Sequence, residues 1–362
     1  MKKLKAAVVG IGSIGINHVK ALHGMGIELA WLIDLDLNHA KTVAAEYDAT
    51  NYSTDFADVL DSDVDCIHLC TPPNLHYDQM TQILNRGFNV LCEKPLCFED
   101  QQAMELYQLA RKHNCLTAID FNVRFHLALT EVKSIIESED FGAVRLIHGS
   151  YLQEFHAFPA PLDWRYNKEL AGNMRAMTEI GSHWTDLAQY LSGKKITALS
   201  ARFANFSPER DLHEGMMFEK DSISVSDKIT VESEDAVILN MLFEDGVIGS
   251  CILSEVSAGR INRLAIEITG SRKNIWWNSE DNNVINIGMK NAGINTFVYP
   301  FGNSFGDTLG FLFKAFYKDI QRGYADENSR YPTLYDGMRN VLICNAAYTS
   351  ATNQGKWVEI KI

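Results

Sequence analysis

The sequence predicts a doubly wound α/β domain followed by an α+β domain with a mainly antiparallel sheet. The first third alternates short apolar runs with helical patterns, which implies βαβ units and a parallel sheet. A glycine-rich turn joins the first apolar run to the first helical pattern. Beyond about Leu191 the strand patterns become long and alternating, with no helices between them. At 362 residues the chain is too long for one ordinary core. The change of pattern near Asp120 puts a cofactor domain at 1–122 and a second domain at 123–362.

In chain order, the apolar runs are Ala6–Val9, Leu29–Ile33, Cys66–Cys70, Val90–Cys92 and Leu116–Ile119. Helical patterns fall at Asn17–Met25, Asn38–Tyr47, His76–Arg86 and Asp100–His113. Gly87 stands where a helix C-terminal glycine belongs, and Asp100 where an N-cap belongs. The second half opens with a helix near Thr130–Ser138 and a strand at Val144–Tyr151. An irregular aromatic segment, Phe155–Tyr166, and a helix from about Gly181 to Leu191 follow. Ala236–Phe243 and Val247–Leu253 flank Glu244-Asp245-Gly246, a hairpin signal because Asp-Gly adopts positive φ readily. Leu264–Thr269 and Asn274–Trp277 continue the sheet, and helices at Leu309–Gln321 and Leu334–Thr352 close the chain.

Composition narrows the function. Hydrophobic residues are 46% and charged residues 22% of the chain, as in a folded globular protein. Thirty-three Lys and Arg against 46 Asp and Glu leave a formal charge of −13. That argues against nucleic acid or an anionic membrane surface as partner, since both demand a basic face. The glycines and Asn17-His18 interrupt the N-terminal apolar run too early for a signal peptide or a spanning helix. Seven cysteines, an odd number lying largely in apolar runs, do not form a disulfide framework and point to a reducing cytoplasm.

The chemistry concentrates in four motifs. Gly10-Ile11-Gly12-Ser13-Ile14-Gly15 follows a strand and opens a helix, the context in which a G-x-G-x-x-G lets pyrophosphate approach backbone at a helix N-terminus. Asp34 ends the second strand 19 residues after Gly15, where it can accept from ribose hydroxyls and would repel a 2′-phosphate. NAD is therefore favoured over NADP. Thr71-Pro72-Pro73-Asn74-Leu75-His76 follows the strand Cys66–Cys70, at the carboxyl end where doubly wound folds place ligand contacts. Cys92-Glu93-Lys94-Pro95 ends the next strand; Pro95 extends the chain at Lys94, whose amine is a candidate proton carrier. In Glu179-Ile180-Gly181-Ser182-His183-Trp184-Thr185-Asp186, helical spacing would put Glu179, His183 and Asp186 on one face. His183 suits proton transfer near neutral pH. No further His or Cys stands at a ligand spacing, so no metal is expected there.

In this order and spacing the motifs resemble the glucose–fructose oxidoreductase / inositol dehydrogenase / rhizopine-catabolism (Gfo/Idh/MocA) family, over the cofactor domain and on to about Gly193. The resemblance implies an NAD(P)-linked hydride transfer on a polyol, sugar or sugar derivative, and an open-faced sheet in the second domain. It implies that Thr71, Asn74 and His76, with Pro72 beside them, line the dinucleotide site. Glu93 and Lys94 would lie by the nicotinamide ribose and the reacting carbon, and Asn122 and Arg124 in the cleft. Trp164-Arg165 looks like the family's Trp-Arg pair bordering nicotinamide and substrate, and His183 like its catalytic histidine. One residue departs: the dehydrogenases usually carry Asp four residues before that histidine, and this chain has Glu179.

The expected function is an NAD-dependent dehydrogenase of a sugar or cyclitol. Lys94 and His183 are the candidate bases, with Glu179 and Asp186 orienting His183 or binding hydroxyls. Arg124 and Arg165 stand ready for a carboxylate or phosphate if the substrate carries one. The alternatives are a glycosidase that uses NAD in a transient redox cycle and a cofactor-binding regulator without turnover. An open sheet needs a partner, so a homo-oligomer, dimer or tetramer, is expected.

Overall fold

The structure, a computed structural model, describes residues 3–224, 227–326 and 329–361. Short apolar strands with helices between them give β1 (Lys5–Val9), α1 (Ser13–Gly24), β2 (Glu28–Ile33), α2 (Leu37–Glu46), β3 (Asn51–Ser53) and α3 (Ala57–Leu60). Then follow β4 (Cys66–Leu69), α4 (His76–Asn85), β5 (Asn89–Cys92), α5 (Asp100–His113) and β6 (Thr117–Ile119). The six strands pair in parallel in the order β3-β2-β1-β4-β5-β6, the doubly wound arrangement with its switch point between β1 and β4. Gly87 follows α4 at φ +77°, where its N–H reaches the Leu84 carbonyl at 3.0 Å. Asp100 is the first residue of α5 rather than its cap; the extended residue before the helix is Glu99. An acid in the first turn still complements the helix dipole.

The chain divides into two compact units. One comprises Met1–Phe125 and Ser304–Val341, the other His126–Asn303 and Leu342–Ile362. The division is not a single cut, and burial gives the reason. Both faces of a parallel sheet must be covered. Leu309, Leu312, Phe313, Phe316 and Tyr317 of the helix Phe305–Arg322 pack in the core that also holds Ala6, Val8 and Leu22. Leu334, Met338 and Val341 pack in the opposite core with Ile67, Leu69 and Ile119.

The second unit is built on a nine-stranded sheet in the order Gly293–Val298, Val284–Met289, Lys273–Asn278, Arg263–Gly270, Val144–Leu152, Ile248–Ser254, Ala236–Phe243, Ile196–Ala204, Val358–Glu359. All neighbours are antiparallel except Val144–Leu152 with Ile248–Ser254. The hairpin turn holds Asp245 at φ 58° and Gly246 at φ 75°. Burial alternates along Ala236–Phe243, so one face is core. The other presents Ile238, Leu242, Ile248 and Ile252, each between 41% and 54% exposed, with Ile238 opposite Ile252 and Leu242 opposite Ile248. A four-stranded sheet made from Ala160–Pro161, Glu209–His213, Met216–Glu219 and Asp227–Thr230 completes the unit. Among the described residues no helix is long and apolar enough to cross a membrane, and all seven cysteines are free.

Candidate active site

In the first unit the glycine turn is shaped by close approach. Gly10 adopts φ +84°, and a Cβ there would lie 2.8 Å from the Cys70 carbonyl oxygen; one on Gly15 would lie 2.0 Å from that of Gly10. Gly12 differs: a Cβ would meet nothing within 4 Å. The space over the start of α1 is open, and the first N–H groups of a helix have no acceptor within it. Asp34 ties the turn to the second strand, with Oδ2 accepting from the Ile11 N–H at 2.9 Å and Oδ1 from the Asp36 N–H at 3.0 Å. The turn thus combines an open cradle of backbone donors with a fixed carboxylate, the donor set that suits a dinucleotide.

The loops after β4 and β5 are held together from within. His76 is fully buried, its Nδ1 2.8 Å from the Pro95 carbonyl oxygen and its Nε2 2.8 Å from that of Thr71. Burial pulls its pKa down despite those carbonyls. Thr71 and Pro72 are half-buried and Asn74 exposed beside it. Lys94 is half-buried, and the Lys94–Pro95 peptide is cis. Asn122 and Arg124 are both buried: Asn122 donates to the Thr308 hydroxyl at 2.8 Å, and Arg124 pairs with Asp336 at 3.0 Å.

A cluster that sequence reading missed lies under Lys94. Strands β5 and β6 end in register, Cys92 opposite Ile119, so the next residues, Glu93 and Asp120, put two carboxyls side by side. His18, on the buried face of α1, sets Nε2 3.1 Å from Glu93 Oε1 and 3.4 Å from Asp120 Oδ2. The second oxygen of Glu93 accepts from the Lys94 N–H at 3.2 Å. On its other side His18 Nδ1 meets His68 Nδ1 at 3.0 Å and Cys70 Sγ at 3.3 Å, and His68 Nε2 meets the Tyr317 hydroxyl at 3.0 Å. Burial opposes a charge on His18, but Cys70, Asp120 and Glu93 outweigh it and raise its pKa well above the ordinary value. Burial and the His18 charge hold His68 well below. Burial would raise Glu93, yet its hydrogen bond and attraction to His18 bring it down to about 2; burial and the Glu93 charge push Asp120 up to about 7. The signal was in the sequence: a histidine on the inward side of α1 and an acid directly after each of two buried strands.

In the second unit Glu179 lies inside a π-helical turn, Met177–Gly181, which leads into the helix Ser182–Ser192. The expected common face of Glu179, His183 and Asp186 assumed α-helical spacing. Glu179 sits in that wider turn, and His183 and Asp186 in the α-helix that follows. Glu179 Oε2 accepts from Arg165 Nε at 3.1 Å, and Asp163 accepts from Arg165 Nη1 at 2.8 Å. The Arg165 guanidinium also sits 4.8 Å from the centre of the Trp164 ring. His183 and Asp186 are buried. The neighbouring Trp184, fully buried, donates to the Ala265 carbonyl at 3.0 Å and anchors the helix to the large sheet.

The doubly wound fold with this glycine turn defines a dinucleotide-binding protein, and comparison with known proteins supplies the reaction class. Residues 4–121 match the family described as "oxidoreductase family, NAD-binding Rossmann fold", and residues 129–276 match the C-terminal domain of the same GFO/IDH/MocA family. The chain belongs to that family and is an NAD-binding oxidoreductase. It is 26% identical to levoglucosan dehydrogenase of Pseudarthrobacter phenanthrenivorans, over 99% of both chains. It is 27% identical to D-glucoside 3-dehydrogenase of Escherichia coli, over 65% of this chain and 68% of that one. A solved levoglucosan dehydrogenase, in complex with NADH and L-sorbose, superposes with TM-score 0.89 at 25% identity over 99% of each chain.

Proposed function

We propose that the protein is a cytoplasmic, homo-oligomeric dehydrogenase that oxidises a secondary hydroxyl of a neutral sugar or cyclitol, with NAD preferred over NADP. The observation that carries the cofactor assignment is the open glycine cradle with Asp34 fixed beside it. Residues Gly10 to Gly15 would hold the pyrophosphate and Asp34 the adenosine ribose. Thr71, Pro72, Asn74, Glu93, Asn122, Trp164 and Arg165 would border the rest, while His76 acts through the loops it ties together. Bound NAD supplies the hydride acceptor, C4 of its nicotinamide.

Hydride leaves a carbinol only if the hydroxyl proton is taken as well, and Lys94 and His183 are the groups proposed to take it. The arginines favour a neutral substrate. Arg165 is matched by two carboxylates and Arg124 by Asp336, so neither offers an unbalanced charge to an acid or phosphate. The relatives' names support a sugar substrate. The exposed apolar face of the large sheet supports a second copy as its cover, with the second unit serving both substrate binding and assembly.

A panel of neutral sugars, cyclitols, glycosides and sugar acids, each with NAD and NADP, tests the proposal through absorbance of the reduced cofactor. NADH formation with neutral sugars is the expected result. Glycoside cleavage without net NADH would replace it with the redox-cycle glycosidase, and no turnover on any member with a regulator.

A further inference from the structure

We propose that His18 is a positioning residue for the proposed acid–base Lys94: it clamps Glu93 against the Lys94 backbone, and a hydrogen-bond chain through His68 to Tyr317 fixes its ring. The proposal rests on the assignment of Lys94 made above. Its geometry stands on several elements of one unit. His18 comes from α1, His68 and Cys70 from β4 and the residue after it, Glu93 and Asp120 from the ends of β5 and β6, and Tyr317 from the helix Phe305–Arg322. Cys66, at the start of β4, completes the chain as the hydrogen-bond partner of Tyr317.

The partners fix the hydrogen on His18 Nε2, and the two carboxyls beside it favour the imidazolium, which sets the direction of the rest. Nε2 of His18 faces two carboxyls, at 3.1 and 3.4 Å, so it carries a hydrogen. Two Nδ1 atoms 3.0 Å apart need one donor and one acceptor. A doubly protonated His18 donates from Nδ1 to a neutral His68, which then carries its hydrogen on Nε2 and donates to the Tyr317 oxygen, 3.0 Å away. The Tyr317 hydrogen is left for Cys66, its hydrogen-bond partner. Every member thus has one consistent role, and the chain ends in two groups, Tyr317 and Cys66, that burial keeps protonated. The result is a cation locked between Glu93 and Asp120, with the other oxygen of Glu93 on the Lys94 N–H. The arrangement explains why an acid adjoins the lysine: Glu93 is buried and directed at the backbone, and it sets where the Lys94 side chain starts.

Two measurements on the full-length protein test this. The first is the ring nitrogen–proton spectrum of 15N-histidine-labelled wild type. His18 doubly protonated at pH 7.5 and His68 singly protonated at Nε2 are expected; a neutral His18, or His68 protonated at Nδ1, overturns the chain. Tyr317→Phe removes one oxygen from a site that keeps its ring, and should shift the His68 signals; unshifted signals likewise overturn it. A stoichiometric divalent ion that a chelator removes together with the His18 proton pattern would also overturn it. The second measurement is kinetic. His18→Gln should lower kcat about 10- to 100-fold, the scale of a misplaced catalytic group, with NAD affinity and sugar KM changed by less than about threefold. Lys94→Ala alongside separates the two levels. An active Lys94→Ala overturns the assignment of Lys94 itself. An inactive Lys94→Ala beside a fully active His18→Gln overturns His18 alone.

Discussion

Arg165 donates its Nε–H to Glu179 at 3.1 Å while its Nη1 holds Asp163 at 2.8 Å, so the side chain in place of the family's usual aspartate is committed to an arginine fourteen residues before it. Glu179→Gln leaves Arg165 with one carboxylate instead of two. The variant should lose kcat/KM on the native neutral sugar and gain on the corresponding sugar acid, narrowing the preference by about tenfold, or 1.4 kcal/mol. Glu179→Asp is one methylene shorter, and a 3.1 Å bond has no slack for that loss. Its activity on the native sugar should fall without any gain on inositol. A Glu179→Asp variant that oxidises inositol efficiently would show that the longer arm is incidental.

The second and third glycines of the nucleotide turn should separate fold from function. Gly12→Val sets its Cβ where the protein has nothing within 4 Å, so thermal stability should hold while NAD binding by calorimetry is lost. Gly15→Ala puts a methyl 2.0 Å from the Gly10 carbonyl and should destabilise by about 1–3 kcal/mol, lowering Tm. Equal Tm losses in the two variants would mean that the space above Gly12 belongs to the fold.

Asp34 should make NAD bind at least about tenfold more tightly than NADP. Because its two oxygens also hold the backbone of Ile11 and Asp36, Asp34→Ala should weaken both cofactors, not merely invert the preference. Titration of wild type with equal affinities for both would remove the carboxylate from the ribose.

The pH dependence of stability should carry the mark of Asp120. Its carboxyl is raised from 3.8 to about 7 in the folded chain, so its contribution to stability is fully present below 3.8 and is lost as pH rises through about 7. Glu93, lowered to about 2, works in the opposite sense and only below 4.5, outside this window. Asp120→Asn should therefore gain in Tm relative to wild type between pH 5 and pH 8.5, since each tenfold change in the acidity of a group on folding corresponds to about 1.4 kcal/mol. Parallel melting curves for the two proteins across that range would refute it.

The exposed strand face should be the assembly surface. Ile252→Lys places a charge opposite Ile238, within the exposed apolar set. Light scattering should show wild type as an oligomer and the variant as a smaller species with its Tm lowered by less than a core substitution would cause. A monomeric wild type would leave that face without the partner assigned to it.

Much of this was legible in the sequence because the periodicities were clean. Val90–Cys92 is an unbroken apolar run and Cys66–Leu69 one broken only by His68, while Ala236–Phe243, apolar but for Asn240, stands out by its length and the Asp-Gly turn after it and shows its two faces only in the alternation of burial. The strand Asn51–Ser53 did not, since three polar-flanked residues hold their conformation through pairing with β2 rather than through burial. The π-turn at Glu179 was hidden because an inserted residue leaves the apolar pattern on either side intact. The clamp under Lys94 was hidden for another reason: His18, Glu93 and Asp120 lie up to 102 residues apart and meet only because α1 and the ends of β5 and β6 converge. The pairing of Arg124 with Asp336 depends likewise on the late segment that returns to the first unit.

That return has a consequence for how the protein is made. The second unit's main segment is synthesised between the two pieces of the first, and Leu309 to Tyr317 and Leu334 to Val341 supply side chains to both faces of the nucleotide-binding sheet. On the ribosome, the glycine cradle emerges first and waits uncovered while nearly three hundred further residues are translated. NAD-binding competence should therefore appear only once Phe305 to Val341 has left the exit tunnel, and nascent chains arrested before Phe305 should be substrates for chaperones and proteases even though their fingerprint motif is complete.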